Sequence, residues 1–110
     1  MAGWRYAGSL DDIWAGEMRA VSLGTSDVLL CNLDGTLFAY EDRCPHLANP
    51  LSEGALSDAV LTCAAHEWQF DVRTGRGINP ASACLRRYPV RLDGLGIFVD
   101  MGQDRGGEDK

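Results

Sequence analysis

Two short segments carry the residues of this chain that could bind a metal. Cys44 and His46 form the first pair, and Cys63 and His66 form the second, with sixteen residues between the pairs. The chain contains two histidines, and each pairs with a cysteine here. Two thiolates and two neutral imidazoles suit a zinc ion, or a [2Fe–2S] cluster in which two histidines replace two cysteines on one iron.

The composition of each pair helps to separate these two kinds of site. Zinc fingers usually pair like ligands, Cys-x-x-Cys with His-x-x-x-His, whereas each segment here offers one of each type. A [2Fe–2S] cluster is held from two sides, so two loops can each present one cysteine and one histidine. We therefore assign Cys44 and Cys63 to one iron, and His46 and His66 to the other. A structural zinc site is the alternative.

The rest of the chain has the pattern of short strands separated by turn signals. We predict a small antiparallel β base with an inserted cluster-binding subdomain at about residues 43–83. Asp34-Gly35 and Asp93-Gly94 are predicted as hairpin turns. The predicted strands are residues 4–8, 17–23, 27–33, 36–40, 86–92 and 95–100 in the base, and 59–63 and 68–72 in the subdomain.

Several stretches beyond the ligand pairs resemble the Rieske ferredoxins of multicomponent diiron monooxygenases, such as the toluene 4-monooxygenase system. The resemblance covers nearly the whole chain, although the C-terminal tail departs from it. It is carried by LDDIW at residues 10–14, LSEG at 51–54, HEWQFD at 66–71, TGRGINP at 74–80 and YPV at 88–90.

That resemblance implies an all-β Rieske fold and a Rieske-type [2Fe–2S] cluster as cofactor. It implies a soluble ferredoxin that carries single electrons from an NADH-dependent flavin reductase to a diiron hydroxylase, in a toluene/aromatic or alkene monooxygenase system. The family also implies that both histidines bind iron through Nδ1, and that a third loop, matching residues 77–80, covers the cluster. The chain would then be an electron-transfer component and not an enzyme.

A ferredoxin serving an aromatic-ring dioxygenase is the nearest alternative function. A dioxygenase catalytic subunit itself is excluded, because its mononuclear iron needs two further histidines and the pairs above use both. A zinc-stabilised interaction module is the alternative from another class of protein.

Charge and hydropathy restrict the partners and the location. The chain has a formal net charge of −6, and nucleic-acid binding normally needs a basic face. No apolar run approaches the roughly 18 residues of a membrane-spanning helix, and the first residues lack the apolar h-region of a signal peptide. We expect a cytoplasmic monomer without membrane or nucleic-acid contact, with one domain over residues 1–101 and a polar, disordered tail at 102–110.

Two cysteines and one tryptophan near the ligands need separate explanation. We predict that Cys31 and Cys84 are buried small apolar residues, because four ligands already complete a cluster. Trp68, two residues after His66, either shields the cluster or belongs to an exposed docking face.

Overall fold

The chain forms an all-β structure of short antiparallel strands, as predicted. The computed structural model describes residues 3–24, 26–44, 50–64, 68–79, 81 and 83–101, so the predicted tail at 102–110 lies outside the described residues. Two single turns of 3₁₀ helix, Leu10–Asp12 and Leu51–Glu53, interrupt the strands. The strands are β1 (Trp4–Ser9), β2 (Met18–Leu23), β3 (Ser26–Leu33), β4 (Thr36–Glu41), β5 (Ala55–Ser57), β6 (Val60–Thr62), β7 (Gln69–Asp71), β8 (Gly77–Asn79), β9 (Arg87–Tyr88), β10 (Val90–Asp93) and β11 (Gly96–Asp100).

The strands are arranged in three antiparallel sheets. The first has the order β1-β11-β10, the second β2-β3-β4-β9 and the third β5-β6-β7-β8. The third sheet lies entirely within the predicted subdomain, and the other two form the predicted base. In the part of the chain that the model describes, no helix is long and apolar enough to cross a membrane.

The second sheet is the middle layer, because its strand β3 is buried on both faces. Val28 and Leu30 pack toward the first sheet, whereas Leu29 and Cys31 pack toward the third sheet, and none of the four is more than 1% exposed. Successive side chains of a strand point to opposite faces, so an unbroken apolar run fits a strand covered on both sides. Each fully buried aliphatic side chain contributes roughly 1.5–3 kcal/mol.

The layer between the second and third sheets is called the subdomain core here. It includes both cysteines that the sequence analysis assigns as ligands. Its buried members are Leu29, Cys31, Tyr40, Cys44, Leu51, Leu61, Cys63, Phe70, Val72 and Leu85.

Both predicted hairpins are present, although one turn is shifted. Asp34 and Gly35 have φ values of 57° and 94°, and positive φ at both central residues is the requirement of a type I′ turn. In the second hairpin the two-residue loop is Gly94-Leu95, one position later than predicted, because Asp93 already pairs with Gly96. Gly94 takes the positive φ of 63° that this loop needs at its first position.

The prediction of one strand over residues 86–92 is wrong. Pro89 has no backbone N–H, so it interrupts a ladder and permits a change of sheet. The chain therefore pairs β9 with β4 in the second sheet, and β10 with β11 in the first. Tyr88, just before the break, is buried between these two sheets.

The sequence analysis missed β5 and β8, which are the two edges of the third sheet. Each has three residues, too few for an alternating pattern to be recognised. The β5–β6 turn also lacks glycine, and Asp58 takes the positive φ of 54° there instead. Aspartate tolerates this conformation because its short side chain can bond locally.

Cys31 and Cys84 differ in their surroundings. Cys31 is fully buried, and that burial, with a smaller contribution from the negative charge of Asp42, raises the pKa of its thiol to about 12. Cys84 is exposed, so the prediction of burial is wrong for it. Its neighbour Leu85 points into the subdomain core, and alternation along the extended chain turns Cys84 outward.

Gly54 allows the start of β5 to approach the end of β6. A Cβ placed on Gly54 would lie 2.0 Å from the carbonyl oxygen of Thr62 and 3.3 Å from the nitrogen of Ala64. Its φ of −87° is open to any residue, so the constraint is space and not backbone conformation. Only glycine fits there without moving the backbone next to Cys63.

We expect Gly54→Ala to lower the free energy of unfolding by about 3 kcal/mol or more, because the added methyl group meets rigid backbone. Gly96→Ala is the matched control: its Cβ would lie 3.1 Å from the Phe98 ring and 3.3 Å from the carbonyl oxygen of Asp93, contacts that small shifts relieve, so the cost should stay under about 1 kcal/mol. Denaturant unfolding measures both values. Equal losses in the two variants would contradict the proposed close approach.

Candidate metal centre

The first ligand segment follows β4 and ends in the second 3₁₀ turn. The N–H of Glu41, the last residue of β4, donates to the carbonyl of Arg86 at 2.8 Å, which holds the strand end. Cys44 follows three residues later and is 1% exposed. Leu51, at the start of the turn, is fully buried in the same core. The segment therefore begins and ends on side chains inserted into the subdomain core.

The second ligand segment is the loop of the β6–β7 hairpin. Thr62 pairs with Gln69 in the ladder, and beyond this pair the N–H of Cys63 donates to the carbonyl of Trp68 at 2.7 Å. This bond closes the loop at its base. Cys63 is 1% exposed.

The structure brings the two predicted cysteine ligands into one buried core. Cys44 and Cys63 arrive from different loops and are both members of the subdomain core. His46 and His66 lie outside the described residues. Within the described ranges no three potential metal-binding side chains stand together, as expected when two of the four predicted ligands fall outside them.

The donor chemistry fits an iron–sulfur cluster. Burial disfavours an isolated thiolate, and coordination to iron offsets that cost. Two thiols in one apolar core, reached from two separate loops, are what a cluster held from both sides requires. Cys44 and Cys63 would hold one iron through sulfur, and the cluster would supply one-electron redox chemistry.

The third loop of the predicted centre begins at β8. Gly77 pairs with Phe70 and Asn79 with Gln69, so β8 runs beside the strand that leaves the second ligand segment. The N–H of Gly77 donates to the carbonyl of Ala83 at 2.8 Å and so ties the two ends of this loop together. Pro80, predicted to cover the cluster, lies outside the described residues.

Trp68 is partly buried and packs against the subdomain core. Its carbonyl also closes the second ligand loop, through the bond to the N–H of Cys63. This position fits a role in shielding the cluster better than a role in docking, although the side chain keeps some solvent exposure.

Sequence reasoning missed one contact at the first ligand segment. The carboxylate of Asp42 accepts two hydrogen bonds from Ser52, from its N–H and from its hydroxyl, both at 2.8 Å. Asp42 precedes Cys44 by two residues and Ser52 lies in the following 3₁₀ turn. Ser52 belongs to the LSEG stretch at 51–54, but no local pattern links it to Asp42 ten positions earlier.

Residues 3–89 match the family model of the Rieske [2Fe-2S] domain. The ferredoxin component of the alkene monooxygenase system of Xanthobacter autotrophicus is 47% identical over 92 residues, covering 83% of this chain and 75% of that protein. The ferredoxin component of biphenyl 2,3-dioxygenase from Rhodococcus jostii is 40% identical over 94 residues, covering 84% of this chain and 88% of that protein.

Solved structures have the same fold. A chain in the complex of reduced oxygenase and oxidised ferredoxin in carbazole 1,9a-dioxygenase superposes with a TM-score of 0.84 at 26% identity, covering 93% of this chain and 96% of that chain. The ferredoxin of carbazole 1,9a-dioxygenase from Nocardioides aromaticivorans has a TM-score of 0.81 at 26% identity, with coverages of 87% and 95%.

These similarities agree with the buried cysteine pair, the two ligand loops and the three antiparallel sheets. The cofactor is a Rieske-type [2Fe–2S] cluster, and the predicted Rieske fold is confirmed. The relatives are ferredoxin components, which transfer electrons and are not the catalytic subunits. The chain belongs to the Rieske [2Fe–2S] domain family, as an electron-transfer ferredoxin of a multicomponent oxygenase system.

Proposed function

We propose that this ferredoxin carries single electrons from an NADH-dependent flavin reductase to a diiron hydroxylase in a toluene/aromatic or alkene monooxygenase system. The observation that carries the proposal is the 47% identity with the alkene monooxygenase ferredoxin of Xanthobacter autotrophicus, which extends through both ligand segments of the fold. We place the protein in the cytoplasm as a monomer, with one domain over residues 1–101 and its cluster-binding part at about 43–83.

The proposed ligands are Cys44 and Cys63 for one iron, and His46 and His66 for the other. Support for the cysteines comes from their common burial in the subdomain core. Support for the histidines comes from their spacing: one residue separates His46 from Cys44, and two residues separate His66 from Cys63. The cysteine side of such a site lies inward, so the histidines would face the loop tips and the partner.

The proposed docking face includes β8. Asn79 pairs with Gln69, three residues after His66, and the neighbouring Ile78 is 48% exposed. An apolar side chain beside the ligand loops suits a small, transient redox contact, in which close approach matters more than area. The net charge of −6 would speed the encounter with a basic partner surface.

A dioxygenase system is the second candidate. The ferredoxin of biphenyl 2,3-dioxygenase is 40% identical over a comparable length, so the same fold and centre occur with that class of partner. The two functions differ in the protein that receives the electron, and genes for a diiron hydroxylase or for a Rieske oxygenase beside this gene would favour one or the other.

Purified wild-type protein should be red-brown and contain about two irons and two sulfides per chain. Cys63→Ser should lose most of both, because a buried hydroxyl cannot replace the thiolate. Cys84→Ser, which changes an exposed cysteine outside the core, should keep the wild-type content. Iron and acid-labile sulfide assays measure this, and one zinc without sulfide in the wild type would contradict the ligand assignment.

Electron delivery to a diiron hydroxylase tests the function directly. The protein should support product formation when it is combined anaerobically with NADH, the flavin reductase, a toluene or alkene hydroxylase and its hydrocarbon, followed by addition of O₂. With the oxygenase component of a Rieske dioxygenase in place of the hydroxylase, product formation should be at least ten times slower. Mismatched docking should cost more than about 1.4 kcal/mol, which corresponds to that factor. The reverse preference would assign the chain to a dioxygenase system.

Ile78→Glu should lower kcat/KM for the hydroxylase about tenfold, because it puts a charge into the apolar part of the docking face. The redox potential and absorption spectrum should stay unchanged. Leu95→Glu is the control: Leu95 is 53% exposed at the β10–β11 turn of the first sheet, away from the ligand loops. Equal losses in the two variants would remove β8 from the docking face.

A further inference from the structure

A hydrogen-bonded pair closes the first ligand segment at its base. Asp42 Oδ1 accepts from the N–H of Ser52, and Oδ2 accepts from the Ser52 hydroxyl, both at 2.8 Å. Both residues are partly buried. Nine residues lie between them, and Cys44 is the second of these. Both carboxylate oxygens are therefore directed at one residue across the segment.

Each partner of this pair is itself fixed by the backbone. The N–H of Asp42 donates to the carbonyl of Asp27 at 2.9 Å, which ties it to β3 in the middle sheet. Ser52 is in the second 3₁₀ turn, where the N–H of Gly54 donates to the carbonyl of Leu51 at 2.9 Å. The turn also lies against β2. The pair thus joins two elements that are each held in place.

The negative charge of Asp42 also affects a thiol in the subdomain core. Besides burial, the negative charge of this carboxylate raises the pKa of Cys31, a member of the same core as Cys44. Asp42 is itself partly buried. Its hydrogen bonds are charge-assisted, and such bonds are roughly twice as strong as neutral ones.

We propose that Asp42 is a positioning residue for the metal centre: by holding Ser52 with both carboxylate oxygens, it fixes the two ends of the segment that presents Cys44. A site works best when its ligands are held in the bound geometry before binding, because no ordering cost then remains. Asp42 itself does not contact the metal in this proposal, which rests on the ligand assignment made above.

The competing explanation is that Asp42 only caps the Leu51–Glu53 turn and stabilises the fold. The two roles differ in what they change below the unfolding temperature. A cap alone shifts the unfolding midpoint and leaves the intact centre as it was. A positioning residue also changes the environment of the bound cluster, and the rate at which its iron becomes accessible.

The test compares Ser52→Ala, which removes one of the two bonds, with Asp42→Ala, which removes both. The measurements are the rate of iron removal by a ferrous chelator, well below the unfolding midpoint, and the EPR spectrum of the reduced protein. Iron removal should be about tenfold faster in Ser52→Ala and faster still in Asp42→Ala, with shifted or broadened EPR features in both. Ser52→Thr, which keeps the hydroxyl, should restore the wild-type rate.

Ser9→Ala is the matched control. It removes the bond that the Asp11 N–H donates to the Ser9 hydroxyl oxygen at 3.2 Å, which caps the other 3₁₀ turn, Leu10–Asp12, outside the ligand segments. Its iron-removal rate should stay within about twofold of the wild type. If Asp42→Ala does not fold, Ser52→Ala decides the outcome alone.

Wild-type EPR spectra and iron-removal rates in Ser52→Ala, with or without a lower unfolding midpoint, would leave Asp42 as a cap and overturn the positioning role. That result leaves the ligand assignment intact, because the wild-type protein would still hold its cluster. A wild-type protein without iron and sulfide would overturn the ligand assignment, and the positioning role with it.

Discussion

The centre depends on a close backbone approach between the end of one ligand segment and the start of the other. Gly54 lies directly against the carbonyl of Thr62, closer than any side chain would permit. Thr62 is the residue before Cys63, and Gly54 ends the turn that follows the first ligand segment. The contact therefore sets where the second cysteine stands relative to the segment that carries Cys44. A shift of even 1 Å there would spoil a site whose ligands must meet from both sides.

A second set of contacts joins the middle sheet to the third sheet and so supports the same geometry. The hydroxyl of Tyr40, in β4, donates to the carbonyl of Val72, just after β7. Gly75 lies against the Tyr40 ring and has a positive φ of 81°. A Cβ added to Gly75 would lie 2.9 Å from the ring, so there is no room for a side chain. Burial is the main cause that raises the pKa of this phenol to about 12, so the hydroxyl stays protonated and able to donate at all ordinary pH values. The strand that leads to Cys44 is thereby locked to the strand that leaves the second ligand loop.

Sequence reasoning was most successful where a feature depends on residue type at short range. The ligand pairs and the Asp34-Gly35 turn were visible because a metal needs particular donors and a tight turn needs positive φ. Pro89 was visible as a residue, but the exchange of strand between two sheets depends on tertiary pairing. The three-residue strands β5 and β8 form because neighbours offer free ladder positions. The Asp42–Ser52 pair spans nine residues, beyond the reach of any local pattern.

The proposed path of the electron rests on the burial of the cysteine side of the centre. Cys44 and Cys63 sit in the apolar layer between two sheets, so that side of the site is covered by packed protein. With the proposed ligand set, the histidines would lie on the opposite side of the cluster from the two cysteines. An electron would then leave through the imidazole side, toward the face that includes Ile78 on β8. Rigid support beneath the thiols keeps the centre from rearranging as its charge changes, and a short outer path allows transfer within a brief encounter.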